Sequence, residues 1–356
     1  MNQIARVLTV GRKRLQTVAV QDTREAAVPA TIRDVARAAG VSPSTVSRVF
    51  TMPDIVSGAT RTAVCQAADR LAYAPNRAAR GLITGRTSNL GVIVPDLANP
   101  FFPGVVKGVQ ARAHDADYAV FLADTDEDSA AEARLVRALA KQVDGVVLCS
   151  PRMSEADLRA IVDDTTLVLC NRRIGRTPSI TFDNSDGMRQ AASHLRALGH
   201  RRVAWVGGPK ASWSNKERAR GLRTAVAAAG LELDLIGNFP PHFEGGVAAA
   251  DLVAATDVTA VIAYNDLMAL GIISRLRGRG LAVPDDLSVI GIDDIPFSGM
   301  SVPALTTVAL PKEEAGRAAV DLLLFLLQQP DDADGARREL PAQLIVRAST
   351  GVAPST

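Results

Sequence analysis

The sequence predicts an α/β protein: a small all-α domain followed by a two-lobed core of doubly wound parallel sheets. Three observations support this prediction. Helix caps and turn residues follow one another closely in residues 31–74. From Leu90 onward, short β-branched runs alternate with amphipathic stretches, which is typical of parallel sheets covered by helices on both faces. Roughly 265 residues of this alternation are too many for one sheet of ordinary size, so two lobes are favoured.

Composition narrows the class of protein. The 356 residues are 47% hydrophobic and 22% charged, which is ordinary for a globular protein. The net charge of +2 hides a basic N-terminal segment. No apolar run of about 18 residues and no signal core is visible, so we expect a cytoplasmic protein without a membrane partner. The three cysteines lack disulfide or metal spacing, and we expect reduced thiols.

Changes in composition divide the chain into five segments. Residues 1–30 carry basic side chains without periodicity, which predicts an extension without regular structure; an extra DNA-contacting arm is the alternative. Residues 31–74 are the predicted helical domain, and residues 75–88 a hinge helix with its linker. The α/β core is expected over 89–350, with a tail at 351–356.

The helical domain is indicated by its caps. Thr31 can cap a helix over Ile32 to Ala39, and Gly40 makes a turn after it. Ser42 is a good N-cap for a second helix from Pro43 to about Phe50, since proline suits the first helical position. A third helix follows Ser57. Two short helices with a glycine turn, braced by a third, form a helix-turn-helix arrangement.

The hinge segment is short. Asn76 can cap a helix that places Arg77 and Arg80 on one side and Leu82 near its end. Seven residues cannot hold a helix in water, because helices shorter than about 12 to 15 residues are marginal. We expect this segment to order only when something supports it; a solvated linker is the alternative.

The stretch TIRDVARAAGVSPSTVSRV, followed by APNRAARGL, resembles the lactose-repressor (LacI/GalR) family of bacterial transcription regulators. The resemblance implies operator DNA as a partner, with base contacts from the second helix and Leu82 wedged between base steps of the minor groove. The expected DNA-binding residues are Thr31, Ser42, Pro43, Ser44, Thr45, Ser47, Arg48, Asn76, Arg77, Arg80 and Leu82.

A ligand site in the core follows from the sheet pattern itself. Ligands of open α/β sheets bind beyond the carboxyl ends of the strands. The residues that follow the apolar runs are carboxylates, amides, guanidinium groups and aromatic rings, a mixture that suits a neutral polyol. They are Asp96, Asn99, Phe101, Phe102, Asn171, Arg172, Asp183, Asn184, Trp213, Arg218, Asn265, Asp266, Asp293 and Asp294.

Each of these residues also has a purely structural interpretation. Asn265 and Asp266 can cap the next helix, and the two adjacent aspartates at 293 and 294 can form a turn. Arg218 can be a solvated helix charge, and the two phenylalanines can belong to the core. Asp183, Asn184 and Trp213 are open between the two interpretations.

The core is also similar to periplasmic sugar-binding proteins. NPFF, NRR, ERARG, YND and GIDD stand where that superfamily keeps its ligand contacts. The likeness implies an effector cleft between the lobes, and Trp213 joins the candidates from the sheet pattern. The expected effector-binding residues are Asn99, Phe101, Phe102, Asn171, Arg172, Trp213, Arg218, Asn265 and Asp293.

Some features depart from the family. No leucine heptad follows Val346, so a homodimer is expected rather than a tetramer. Pro43 and Ser44 occupy positions that vary in the family, so the operator sequence cannot be carried over. We expect the polar loop from Pro151 to Asp157 to shape ligand choice.

Enzyme motifs are lacking: no GxSxG, Walker loop, GxGxxG or HExxH is present. The four histidines are scattered, and the acidic cluster at 124–128 is interpreted as a solvated helix start, so no metal or cofactor is expected. The hypothesis is a homodimeric transcriptional repressor controlled by a small-molecule effector, a sugar. The alternatives are a regulator of the same architecture that answers to a purine or other non-sugar, and a non-regulatory sugar-binding protein.

Overall fold

The computed structural model describes residues 30–73, 86–329 and 335–354. The chain divides into two compact units, Met1–Asn76 and Arg77–Thr356. Four of the residues expected to bind DNA, Asn76, Arg77, Arg80 and Leu82, lie outside the described residues.

The first unit contains the three expected helices, α1 (Ile32–Ala39), α2 (Pro43–Thr51) and α3 (Gly58–Arg70). Ser42 Oγ accepts a hydrogen bond from the Thr45 backbone N–H at 3.2 Å, which caps α2. A 3-10 turn over Pro53–Ile55 leads to α3. Val35, Val46 and Val64, one from each helix, are fully buried against one another. Because these side chains fill the centre, the polar side of α2 faces solvent.

The second unit holds two six-stranded sheets, and its fold class confirms the prediction. The first sheet has the order β11-β5-β4-β3-β1-β2, and all of its pairings are parallel. Its strands are β1 (Asn89–Val94), β2 (Ala119–Asp124), β3 (Gly145–Cys149), β4 (Leu167–Cys170), β5 (Ser179–Phe182) and β11 (Arg337–Leu340). The helices of this lobe are α4 (Phe101–Asp115), α5 (Ser129–Ala140), α6 (Glu155–Val162) and α12 (Lys312–Gln328).

The second sheet has the order β12-β10-β9-β8-β6-β7, with only β12 antiparallel to its neighbour. Its strands are β6 (Arg202–Gly207), β7 (Glu232–Asn238), β8 (Ala260–Ala263), β9 (Ser288–Asp293), β10 (Thr306–Ala309) and β12 (Gln343–Ile345). The helices of this lobe are α7 (Asn184–Ala197), α8 (Trp213–Ala229), α9 (Phe243–Val253), α10 (Asp266–Gly278) and α11 (Pro296–Met300).

The chain passes between the lobes three times, after β5, after β10 and after β11. The second passage is the least expected, because α12 follows a strand of the second sheet but packs on α4 and on strands of the first sheet. Glycines allow this close packing. A Cβ on Gly108 would lie 2.0 Å from the Glu313 carbonyl oxygen, and one on Gly316 would lie 2.1 Å from that of Val105.

Helices begin within two polar stretches that follow strands, and one of these stretches was expected to be a loop. Trp213 is the first residue of α8, because Ser212 caps that helix by accepting from the Asn215 N–H at 3.2 Å. The polar loop from Pro151 to Asp157 is cut short in the same way. Ser154 Oγ accepts from the Asp157 N–H at 3.2 Å, and α6 starts at Glu155. In both places a serine cap sets the helix start within a polar stretch.

Among the described residues, no helix is both long enough and apolar enough to cross a bilayer.

The packing of α12 on α4 can be tested with two glycine-to-alanine substitutions. Gly108→Ala should lower the free energy of unfolding by about 1–3 kcal/mol, because the new methyl group overlaps backbone. Gly278→Ala is the matched control, since that helical glycine has nothing within 4 Å of an added Cβ. It should instead raise stability by roughly 0.5–1 kcal/mol. Urea unfolding followed by circular dichroism measures both; equal effects would contradict the packing described.

Candidate functional site

The exposed side of α2 is the first candidate site. Ser42, Pro43, Ser44 and Arg48 are exposed, whereas Thr45 and Ser47 are half-buried. The hydroxyls of Ser44 and Thr45 both hydrogen bond to Ser42 Oγ, at 2.8 and 2.9 Å. These serine and threonine hydroxyls are therefore ordered around the start of the helix.

Arg48 lies one turn further along α2, and its side chain forms no hydrogen bond or ion pair with any described residue. Thr31, before α1, is also exposed, and both its N–H and its hydroxyl donate to the Asp34 carboxylate, at 2.9 and 2.7 Å. Short polar side chains beside one free guanidinium can hydrogen bond to base edges or phosphates.

The second candidate site is a pocket between the two sheets of the core. Residues at strand ends of both lobes line it, as the sheet pattern anticipates. From the first lobe come Asn99, Phe101, Phe102, Ser150, Arg152 and Asn171, and from the second lobe Arg218, Pro241, Tyr264, Asn265 and Asp293. The space that they enclose is small, about 270 Å³ including open solvent.

Arg218 joins three parts of the second lobe. Its Nε donates to Asn184 Oδ1 at 3.2 Å, one Nη donates to the Tyr264 carbonyl at 2.6 Å, and the other to Asp293 Oδ1 at 3.2 Å. The guanidinium also lies 5.0 Å from the centre of the Tyr264 ring. Arg218 is almost fully buried. It is therefore a fixed part of the pocket wall and not a solvated helix charge.

Several residues that line the pocket also have the structural role that was given above as the alternative to ligand binding. Asn265 Oδ1 caps α10 by accepting from the Met268 N–H at 2.9 Å, yet the residue lines the pocket. Phe101 and Phe102 are buried and pack edge to face at 5.1 Å between ring centres. Phe101 packs on Phe182 in the same manner. The structural and the ligand-facing interpretations therefore coexist in these side chains.

Two of the expected effector residues do not line the pocket. Arg172 is buried behind it, where its Nη1 donates to the Pro151 carbonyl at 2.9 Å. Trp213 is half-buried at the start of α8. The helix cap at Ser212 sets its place there, whereas Arg218 lies five residues further along the helix and reaches the pocket.

Four residues that line the pocket are not among the expected effector-binding residues. They are Ser150, Arg152, Pro241 and Tyr264. The rule about strand ends applies equally to β3, where it selects Ser150 and Arg152, and the loop expected to shape ligand choice contains Arg152. Tyr264 ends the apolar run of β8, so its pattern resembles a core residue. Pro241 follows the half-exposed strand β7, which has no strong signal in the sequence.

Backbone strain is concentrated at this pocket. Ser150, Asn171 and Asp293 have positive φ angles of 43°, 57° and 114°. Residues other than glycine rarely adopt such angles, and each costs about 1–3 kcal/mol that the surrounding structure must offset. Strained residues of this kind cluster at binding sites. All three follow or end a strand and line the pocket.

Two buried aspartates support the turn after β9. Asp266 accepts hydrogen bonds from the Ile295 N–H at 2.9 Å, the Ser298 hydroxyl at 2.6 Å and the Thr307 hydroxyl at 2.5 Å. Burial, followed by repulsion from Asp293, raises the pKa of Asp266 to about 7. Burial also raises the pKa of Asp293 to about 6, although Arg218 and Lys312 act in the opposite direction.

Comparison with family models gives matches to both units. Residues 31–76 match the model of bacterial regulatory proteins, lacI family. Residues 192–350 match a periplasmic binding protein-like domain. The transcriptional repressor PurR of Aliivibrio fischeri (strain MJ11) is 34% identical over 339 residues, covering 90% of this chain and 98% of that protein. This chain belongs to the lacI family of bacterial regulatory proteins.

Solved structures of lacI-family proteins resemble the chain over its length. The lac repressor dimer bound to operator and the anti-inducer ONPF gives a TM-score of 0.82 at 30% identity, covering 91% of this chain and 100% of that one. The transcriptional regulator CelR in complex with cellobiose gives 0.68 at 34% identity, covering 90% and 99%. This lacI-family chain is a DNA-binding transcriptional repressor with a ligand-binding domain.

The raised pKa of Asp266 makes a prediction about stability. A carboxyl whose pKa is higher in the folded chain than its ordinary 3.8 costs stability as the pH rises between those two values, because the unfolded chain releases its proton there while the folded chain still holds it. Asp266→Asn removes that cost. The stability of the variant relative to the wild type should therefore increase from about pH 5 to about pH 7 and level off above that.

Asp186→Asn is the control. Hydrogen bonds from Arg189 and Gln190 lower the pKa of Asp186 below 3.8, so its contribution is lost only at lower pH. Urea unfolding across the range should give a flat difference for this variant. A flat difference for Asp266→Asn as well would show that this carboxyl titrates normally.

Proposed function

We propose that the chain is a homodimeric repressor that binds a palindromic operator through residues 31–74 and is controlled by a neutral sugar in the pocket between the lobes. Residues 75–88 act as the hinge in this proposal, and residues 89–350 as the effector core. The observation that carries the effector assignment is the convergence of three amides, two guanidinium groups and one carboxylate with aromatic rings in one small pocket. Such groups bind sugar hydroxyls and cover apolar sugar faces.

The proposed contacts with bases come from the exposed side of α2. Arg48 has no partner among the described residues, so its five N–H groups are available to a guanine edge, and Ser44 can donate or accept beside it. Of the remaining candidates, Thr31 and the arginines of the hinge would hold phosphates, which positions the protein without reading sequence. Leu82 would wedge between the central base steps.

Arg48→Ala tests the reading of bases. A good bidentate contact contributes about 1–3 kcal/mol of discrimination, so the variant should select a less uniform set of sites from a library of random duplexes. Arg70→Ala is the control, since Arg70 is exposed on α3 and its Nε donates to the Gln66 carbonyl in the same helix. If Arg48→Ala selects the same consensus with the same stringency as the wild type, Arg48 does not read bases.

Three features of the pocket support a neutral sugar over other ligands. Each guanidinium has its own carboxylate, Arg218 with Asp293 at 3.2 Å and Arg152 with Glu127 at 2.6 Å. The pocket therefore has little net charge. Three aromatic rings, those of Phe101, Phe102 and Tyr264, line it and can cover the apolar faces of a sugar. The similar CelR was solved with cellobiose.

Calorimetry with the full-length chain tests the effector class. The panel contains D-ribose, D-glucose, D-galactose, lactose and cellobiose, with adenine and guanine as representatives of the non-sugar alternative. Binding of a sugar and not of the nucleobases is expected. Binding of a nucleobase alone would overturn the sugar assignment but leave the repressor architecture intact, and turnover of any ligand would point to an enzyme.

A physical connection runs from the pocket to the linker. Lys312 Nζ, at the start of α12, donates to the carbonyls of Asp293 at 2.5 Å and Asp294 at 2.8 Å. At the far end of α12, the Leu327 carbonyl accepts from Arg86 at 2.8 Å. A change at Asp293 on ligand binding can therefore move a rigid helix whose other end holds residue 86.

Lys312→Met tests this connection. The lysine does not line the pocket, so sugar affinity should change little, whereas the effect of the sugar on operator affinity should shrink by about 2- to 30-fold. Operator binding with and without the bound sugar, measured by fluorescence anisotropy, gives this ratio. Lys107→Met, an exposed lysine on α4, is the control. An unchanged ratio for Lys312→Met would exclude α12 as the coupling element.

A further inference from the structure

Arg152 is held in one position at both its side chain and its backbone. Its Nε and Nη2 donate to the two carboxylate oxygens of Glu127 at 2.6 and 2.8 Å, and Nη1 donates to the Ser150 carbonyl at 2.8 Å. The Arg152 N–H donates to both oxygens of the buried Glu132 at 2.9 Å. A side chain fixed in this manner presents its remaining donors in one direction.

The donor count leaves part of the guanidinium free for a ligand. A guanidinium carries five N–H groups, and three of those on Arg152 are used by Glu127 and Ser150. Two N–H groups remain on a residue that lines the pocket and whose side chain is only 4% exposed. Because Arg152 is part of the pocket lining, these N–H groups are available to a ligand bound there, and buried donors are rarely left unpaired.

Asn171 supplies the complementary acceptor in the same wall. Its Nδ2 donates to Ser150 Oγ at 2.9 Å, which places its Oδ1 on the opposite side of the amide. That Oδ1 is buried and has no hydrogen-bond partner among the described residues. The residue itself is 4% exposed and has a φ of 57°. Ser150 contacts both Asn171 and Arg152, so the free acceptor and the free donors belong to one subsite.

Charge decides which chemical group fits this subsite. Glu127 offsets the charge of Arg152 through a bidentate pair. Glu155 and Glu132 offset that of the neighbouring Arg172, so the subsite has no excess positive charge to hold an anion. A carboxylate or phosphate oxygen can accept from Arg152, but it has no proton to donate to Asn171 Oδ1 at neutral pH. A hydroxyl group does both.

We propose that Arg152 and Asn171 form a subsite of the first lobe that selects a neutral hydroxyl of the effector and rejects its acidic counterpart. Arg152 is then the residue that determines specificity for neutral sugars over sugar acids and sugar phosphates. This inference rests on the proposed sugar-binding function, and it assigns to Glu127 the role of keeping the subsite neutral.

Calorimetry on the full-length chain with matched sugar pairs tests the subsite. The pairs are D-glucose with D-glucuronate, D-galactose with D-galacturonate, and D-ribose with D-ribose 5-phosphate. The wild type should bind at least one neutral member at least about tenfold more tightly than its anionic partner. Arg152→Met should weaken binding of that neutral sugar at least about tenfold, since a buried hydrogen bond to a charged group is lost.

Two further variants separate specificity from folding. Arg159→Met is the control, because that arginine is exposed on α6 and pairs only with Glu155 at 3.5 Å; it should bind as the wild type does. Glu127→Gln keeps an acceptor for Arg152 but removes the compensating charge. It should lower the preference for the neutral sugar at least about fivefold by improving binding of the anionic partner, an effect that loss of folding cannot produce.

The outcomes distinguish the two proposals. If a neutral sugar binds but Arg152→Met binds it with wild-type affinity, or Glu127→Gln keeps the wild-type preference, the subsite is overturned and the sugar effector stands. Equal or tighter binding of the anionic partner by the wild type also overturns the subsite. If none of the six compounds binds to the wild type, the subsite is overturned, and the proposed sugar effector is overturned with it if lactose and cellobiose also fail to bind. Should Arg152→Met fail to fold, the preference of Glu127→Gln decides.

Discussion

The pocket depends on one buried guanidinium, that of Arg218. It holds Asn184 at the first passage between the lobes, the Tyr264 carbonyl after β8 and the Asp293 carboxylate at the end of β9. Removing one partner of a buried charge pair leaves the other charge uncompensated, which is far more costly than losing a surface contact. Asp293 therefore keeps its strained backbone conformation because Arg218 binds its carboxylate. Asp266 in addition holds the turn that follows, by accepting from the Ile295 N–H.

The residues that form the pocket also connect it to the opposite lobe. The carbonyls of Asp293 and Asp294 are the acceptors for Lys312, which belongs to a helix of the other lobe. A carboxylate that lines the pocket and a carbonyl that contacts the opposite lobe thus belong to one residue, Asp293. A change at this pocket residue need not propagate through a long chain of side chains to reach the first lobe, because Asp293 already contacts Lys312 of that lobe.

Sequence patterns predicted the buried parts of this fold and failed at its margins. The β-branched runs from Leu90 onward form the buried strands, such as β3 and β4, because buried strands carry continuous apolar runs. The strands without such a run include β7, an edge strand that is half-exposed, and β11, which carries Arg337, Arg338 and Glu339. Edge strands lack an apolar run because water faces them. Nor could any local pattern show that α12 leaves its own sheet and packs on the other.

The positions of the pocket residues were easier to predict than the edge strands, because these positions follow from the order and direction of the strands. Residues after parallel strands meet at one edge of their sheet, and this rule put Asn99 and Asn171 at the edge of the first sheet and Arg218 and Asp293 at that of the second. The likeness to periplasmic sugar-binding proteins then implied the cleft between the two edges. The rule says nothing about which hydrogen bonds are already used. Among the described residues, Asn171 Oδ1 has no hydrogen-bond partner, and Arg152 has N–H groups beyond those bound by Glu127 and Ser150. The hydrogen bonds that the fold already uses, such as those from Arg152 to Glu127, therefore determine which groups of a ligand the remaining donors and acceptor can bind.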